Sequence, residues 1–200
     1  MNFPMFPHSA MFVGATACGK TEYMLKLLET NYKNHFEYIV VLCPTILDNK
    51  TYLSRKWILN DENIFIVYDV ECKLNEWIRL FAKVFKCHET LFIIDDCSAE
   101  GEINKKRDAL SELAFSGRHR GHSLWVLTQK YNSITKDVRE QVKWLCLFFT
   151  KDRDSFEDCL RENDVVPDRN ERNRLKESLR NRPYSKLILK CYQPTGYHLL

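Results

Sequence analysis

The sequence predicts an α/β fold with a mainly parallel central sheet flanked by helices. Three observations carry that prediction. Short apolar runs alternate with segments of helical periodicity along most of the chain. The runs are apolar almost throughout, as strands covered on both faces require, rather than at every second position. A glycine-containing turn at 14–21 joins the first run to the first helical segment, as in a βα unit.

The elements follow in order. SAMFVGA (9–15) reads as the first strand and KTEYMLKLLETNY (20–32) as the helix after the turn. FEYIVVLC (36–43), rich in β-branched and aromatic residues, is a second strand that ends at Pro44. IFIVY (64–68) is a third. In ECKLNEWIRLFAKVF (71–85), Leu74, Trp77, Ile78, Phe81 and Phe85 share one helical face. TLFIIDD (90–96) is a strand whose acidic residues arrive only at its C-terminal end. INKKRDALSELAFS (103–116) reads as helix and HSLWVLTQ (122–129) as strand. ITKDVREQ (134–141) is a short helix leading to the strand VKWLCLFFT (142–150). Beyond residue 150 the chain turns more polar. Helices are expected at 154–162 and 170–181, then SKLILKCYQ (185–193) as a last, edge strand. With no repeat, low-complexity stretch or linker, residues 1–200 read as one domain. Its core lies at about 9–150, with a helical and edge-strand extension over 151–200.

An apolar fraction of 44% with 28% charged residues supports a packed core and excludes a disordered or fibrous chain. The net charge of +3 neither demands nor excludes a nucleic-acid partner. No apolar run is long enough for a membrane span, and MNFPMFPHSAMFV lacks the basic start of a secretory signal. The expectation is an intracellular, soluble protein. The 8 cysteines form no CxxC pair and mostly sit in apolar runs, so they read as buried thiols in a reducing compartment. The 6 histidines show no metal-ligand grouping with them.

The strongest chemical signal is Gly14-Ala15-Thr16-Ala17-Cys18-Gly19-Lys20-Thr21, a full match to GxxxxGK[ST] between strand and helix. Glycines let the backbone wrap phosphate oxygens, and the loop amides and helix N-terminus aim partial positive charge at them. Lys20 is expected on the β- and γ-phosphates and Thr21 on Mg²⁺, with Cys18 incidental. In LFIIDD, Asp95 and Asp96 emerge at the C-terminal edge of the sheet, where open α/β sheets bind ligands. Asp95 is placed to hold Mg²⁺ and Asp96 to orient or polarise a water. Adjacent carboxylates repel unless a cation lies near; a pair of solvated turn aspartates is the alternative. Gln129, ending its strand, is placed to contact the γ-phosphate or its attacking water; the alternative is that Thr128 and Gln129 merely satisfy backbone groups. Gly117-Arg118-His119-Arg120-Gly121 precedes the same strand, at the end away from the phosphates. Its arginines, Arg118 first and Arg120 second, could reach a neighbouring subunit's site. A solvated basic turn or contacts to DNA phosphates are the other readings. Arg169, Arg172, Arg174, Lys176, Arg180 and Arg182 form a basic segment, and Lys105, Lys106 and Arg107 a smaller one. Either fits a phosphate backbone or a solvated face.

Taken together, GATACGKT (14–21), LFIIDDC (91–97) and AFSGRHRGHSLWVLTQ (114–129) resemble the FtsK/HerA superfamily of DNA-pumping ATPases. The likeness is nearest to the poxvirus-type genome-packaging ATPases of large DNA viruses and virus-like transposons, and covers about 9–150. It implies a RecA-like P-loop NTPase core that uses ATP and Mg²⁺. Lys20 and Thr21 then match the phosphate and metal positions, and Asp95 the Mg²⁺-site acid. Asp96 stands where the broader superfamily often has glutamate. Gln129 matches the γ-phosphate sensor and Arg118 the intersubunit finger. The resemblance further implies a homo-oligomeric ring, often a hexamer, around double-stranded DNA, with capsid proteins as partners and a viral assembly site or virion as location. The reaction would be ATP + H₂O to ADP and phosphate, coupled to DNA movement. Two other readings fit the same loop: a nucleotide or small-molecule kinase, and a nucleotide-gated DNA-binding or assembly module without turnover.

Overall fold

The computed structural model describes residues 3–70, 73–97 and 109–200. Among these, the strands are β1 (Ser9–Val13), β2 (Tyr38–Leu42), β3 (Ile64–Val67), β4 (Thr90–Asp95), β5 (His122–Thr128), β6 (Val142–Phe148), β7 (Lys186–Lys190) and β8 (Gly196–Leu199). The helices are α1 (Lys20–Glu29), α2 (Lys50–Leu53), α3 (Lys56–Asn60), α4 (Leu74–Val84), α5 (Ala109–Ser116), α6 (Lys136–Glu140), α7 (Arg153–Asn163) and α8 (Arg169–Asn181). The expected helix at 103–116 is seen from Ala109. Its first residues and the Lys105, Lys106, Arg107 cluster lie outside the described residues, as do Glu71 and Cys72 of the predicted 71–85 helix.

The strands form one sheet in the order β3-β2-β4-β5-β1-β6-β7-β8. The first six in that order run parallel, and β7 and β8 are antiparallel. This is the mostly parallel, helix-flanked sheet of a RecA-like P-loop NTPase. One expectation needs correcting: β7 is not an edge strand. Leu187, Ile188 and Leu189 are fully buried between β6 and β8, and the edge is β8, at residues 196–199.

The unbroken apolar runs are explained by covering on both faces. In β5, Leu124 and Val126 face a core shared with α4, α5, α6, α7 and α8. Trp125 and Leu127 face the opposite core, under α1, α2 and α3. Alternate residues thus enter different cores, so neither face can be polar. On α4, Leu74, Ile78 and Ala82 repeat at helical spacing into the first core, with Trp77 and Phe81 partly buried beside them. Helices α7 and α8 start where an aspartate caps them. Asp152 accepts from the Asp154 amide, and Asp168 from those of Asn170 and Glu171.

Parallel pairing places the C-terminal ends of β1, β4, β5 and β6 along one edge. Val13 pairs with Thr128 of β5 and Leu147 of β6, and Asp95 with Leu127. The residues that follow these strands therefore meet, although they are distant in sequence.

At the opposite edge His8 is buried in a polar knot. Its Nδ1 meets the Phe6 carbonyl at 2.8 Å, and its Nε2 accepts from Trp125 Nε1 at 3.0 Å. That pattern is satisfied by the neutral ring with its proton on Nδ1. Burial drives His8 down from 6.5 to about 4, the Phe6 carbonyl opposing and His35 adding to the drop. Between those values the unfolded chain binds a proton that the folded chain refuses. The stabilisation is therefore complete above pH 6.5 and is lost as pH falls toward 4, by about 2 kcal/mol at pH 5. Urea unfolding should show this loss between pH 7.5 and 5, and His8→Gln should remove that share. An identical pH slope in the variant would contradict the assignment.

Candidate functional site

The loop at 14–21 turns from β1 into α1 around two glycines. Gly14 packs so closely that a Cβ would sit 2.6 Å from Phe148 Cβ, and Gly19 has φ +98, the left-handed region that glycine enters freely. The Gly14 amide donates to Thr128 O and the Ala15 amide to Phe149 O, which fasten the loop to β5 and β6. Among the described residues, the amides of Thr16, Ala17 and Gly19 meet no backbone acceptor, so they remain available to an anion. Lys20 Nζ lies across the loop, 2.8 Å from Gly14 O and 2.9 Å from Ala15 O. Burial pushes the Cys18 thiol up despite Lys20 nearby, which makes it a poor nucleophile at neutral pH.

Asp95, the last residue of β4, is buried, and Asp96 beyond it is exposed in a left-handed conformation with φ 57. Each carboxylate has its own hydroxyl partners. Asp95 Oδ2 accepts from the Thr21 hydroxyl at 3.1 Å and from the Tyr52 hydroxyl at 2.9 Å. Asp96 Oδ2 accepts from the Thr45 hydroxyl at 3.3 Å. Burial raises Asp95 above the ordinary carboxylate range; the bonds from Tyr52 and Thr21 oppose this, Asp96 adds to it, and the Lys20 charge opposes it. Burial also pushes Tyr52 well up, with Asp95 contributing, so its phenol stays a donor. The donors at this point are a hydroxyl and carboxylates, hard oxygens that suit Mg²⁺. Thr21 and Asp95 could hold such an ion here.

Thr16, Ala17, Lys20, Thr21, Asn49, Asp95, Asp96, Leu127, Thr128 and Gln129 line one cleft of about 140 Å³. Lys20, Thr21, Asp95, Asp96 and Gln129, with Thr16 and Ala17 of the loop, are thus brought to one place from the ends of β1, β4 and β5; Gly14, Ala15, Cys18 and Gly19 do not line this cleft. Larger cavities of about 660 and 630 Å³ lie elsewhere, the second beginning at Phe148 and Phe149 beside the loop. The small cleft is the candidate site because a phosphate group needs converging polar atoms more than volume. Thr45, Asn49 and Tyr52 were not foreseen. All come from the segment after β2, where Asn49 caps α2 by accepting from the Thr51 amide. An Asn followed by a hydrophobic helical turn could have revealed that cap, but nothing in the sequence pointed Tyr52 at Asp95.

Arg118 is not in this cleft. It lies exposed on the 3₁₀ turn Gly117–Arg120, with its Nε 3.4 Å from His119 Nε2. The 7 residues of β5, roughly 20 Å of extended chain, separate it from Gln129. Arg120 lies 3.8 Å from Glu112. In the basic segment, Arg172 pairs with Asp164, Arg174 with Glu171 and Lys176 with Glu157. Among the described residues Arg169, Arg180 and Arg182 make no ion pair. The described cysteines are all free, and no group of them with His, Asp or Glu could hold a metal. No helix among the described residues is long and apolar enough to cross a membrane.

The family described as Poxvirus A32 protein matches residues 4–189. No curated protein matches the chain. Among solved structures, the genome packaging NTPase B204 from Sulfolobus turreted icosahedral virus 2, in complex with AMP, superposes with a TM-score of 0.71 at 15% identity, over 98% of both chains. B204, the DNA-packaging ATPase from Sulfolobus Turreted Icosahedral Virus, gives 0.65 at 18% identity, over 100% of this chain and 98% of that one. EssC (ATPases 2 and 3) from Geobacillus thermodenitrificans gives 0.56 at 14% identity, over 76% of this chain and 34% of that one. At these identities the likeness is one of fold.

Proposed function

This chain belongs to the Poxvirus A32 protein family, and we propose from that premise that it is an FtsK/HerA-type ATPase. In this reading it hydrolyses ATP with Mg²⁺, as one subunit of a homo-oligomeric ring that drives double-stranded DNA into a capsid. The observation that carries the reading is the meeting, in one cleft, of the 14–21 loop, Asp95, Asp96 and Gln129. The packaging enzymes that share the fold over their whole length support it.

The roles follow from position. The free loop amides and Lys20 hold the phosphates. Thr21 and Asp95 would hold Mg²⁺, which would supply positive charge to offset that of the phosphates. Asp96, exposed in the cleft and free of the core, takes the proton of a water whose oxygen attacks the γ-phosphorus. The bond to the β–γ bridging oxygen breaks, and ADP and phosphate leave. Gln129 orients that water at the end of β5. The cavity starting at Phe148 and Phe149 gives the nucleoside room beside the loop.

Arg118 acts on a neighbour's γ-phosphate in this account, since it sits at the far end of β5 from its own cleft. Arg118→Ala should then lower turnover about 10³-fold with little change in ATP binding. Mixing it with Lys20→Ala, which keeps Arg118, should restore measurable hydrolysis at mixed interfaces. Two inactive variants that stay inactive together, while each still assembles, would contradict the trans role. The same assay should find free phosphate as the product. Phosphate transferred to an acceptor would favour a kinase instead.

A further inference from the structure

We propose that Tyr52 is a positioning residue for the metal site, holding the Asp95 carboxylate so that one oxygen is kept for Mg²⁺. The inference rests on reading Asp95 as the metal-site acid. The segment between β2 and β3 lies outside the three motifs, yet it delivers side chains to both aspartates and to the cleft. Thr45 reaches Asp96, Asn49 lines the cleft and Tyr52 reaches Asp95. Tyr52 is fully buried on α2, with its ring in the core beneath α1.

The geometry decides what the phenol does. Thr21 and Tyr52 both donate to Oδ2 of Asp95, at 3.1 and 2.9 Å. Among the described residues no donor reaches Oδ1, which therefore remains for the water shell of a cation. Thr21 is itself a holder of the metal, so its hydroxyl must serve the ion and the carboxylate together. Tyr52 has no such second duty. It is fixed by core packing and holds Oδ2 whatever Thr21 does. Groups that orient a ligating carboxylate in this way typically change metal affinity by about 10–100-fold when removed.

The test uses the full chain and a fluorescent N-methylanthraniloyl ADP, titrated with Mg²⁺ and without it. Tyr52→Phe keeps the ring and removes only the hydroxyl. It should bind the nucleotide without Mg²⁺ as the wild type does, and need about 10-fold more Mg²⁺ for the Mg²⁺-dependent gain. Asp95→Asn provides the cycle: once the carboxylate is gone, adding Tyr52→Phe should shift the Mg²⁺ midpoint no further. An unchanged midpoint in Tyr52→Phe overturns the proposal. So does an equal weakening with and without Mg²⁺, which is the mark of a structural role alone, or a shift that persists in the Asp95→Asn background. A wild type whose nucleotide binding ignores Mg²⁺ would instead defeat the reading of Asp95.

Discussion

Lys20→Ala should abolish ATP hydrolysis, with a loss of at least about 10³-fold in kcat/KM. The ammonium is the cleft's concentrated positive charge, and its bonds to Gly14 and Ala15 carbonyls show that it lies directly over the loop. Alanine removes the charge proposed to meet the transferring phosphoryl group and the tie that closes the loop. Lys20→Arg should rescue little, because a planar, forked guanidinium cannot take the place of a compact ammonium between two carbonyls. Thermal unfolding should hardly change in either variant, since Lys20 is only half-buried and belongs to neither core. Steady-state phosphate release checks the outcome. More than about a tenth of wild-type turnover in Lys20→Ala would contradict the assignment of this loop.

Asp96→Asn should separate binding from chemistry. Asparagine tolerates the left-handed backbone at this position, φ 57, as aspartate does, and it can still accept from the Thr45 hydroxyl. What it cannot do is take a proton from water. Hydrolysis should fall about 10²–10⁴-fold, the usual cost of losing a general base. Binding of the anionic ATP–Mg²⁺ complex should hold or tighten, because a negative charge facing its phosphates is gone. Equilibrium binding measured beside single-turnover hydrolysis makes the comparison. Hydrolysis kept at the wild-type rate would place the water-activating group elsewhere.

The parts of the fold that were legible share one physical origin. Strands buried on both faces must be apolar throughout, so β1, β2, β4, β5 and β6 stand out from the chain. Helices with one buried stripe, such as α4, show their period. The cleft was legible because phosphate loops need glycines at fixed spacing, and because charge can leave a buried strand only at its end, as at Asp95 and Asp96. Short pieces were not. Helices α2 and α3 are too brief to show a period, and Tyr52 reads as one more core aromatic until its hydroxyl is seen on Asp95. The edge strand β8, GYHL, has no fully buried residue, so no apolar pattern marks it, and β7 looked like the edge in its place. Arg118 shows the opposite case. Its motif was plain, but its one side-chain hydrogen bond among the described residues is to adjacent His119, so this chain alone gives it no role.

Hydrolysis, in the function proposed, belongs to an assembled ring working on duplex DNA. The specific rate of phosphate release, measured against protein concentration with and without double-stranded DNA, tests it most directly. The specific rate should rise with concentration as subunits meet, and rise again when DNA is added. A specific rate that is flat across concentration and indifferent to DNA would contradict it.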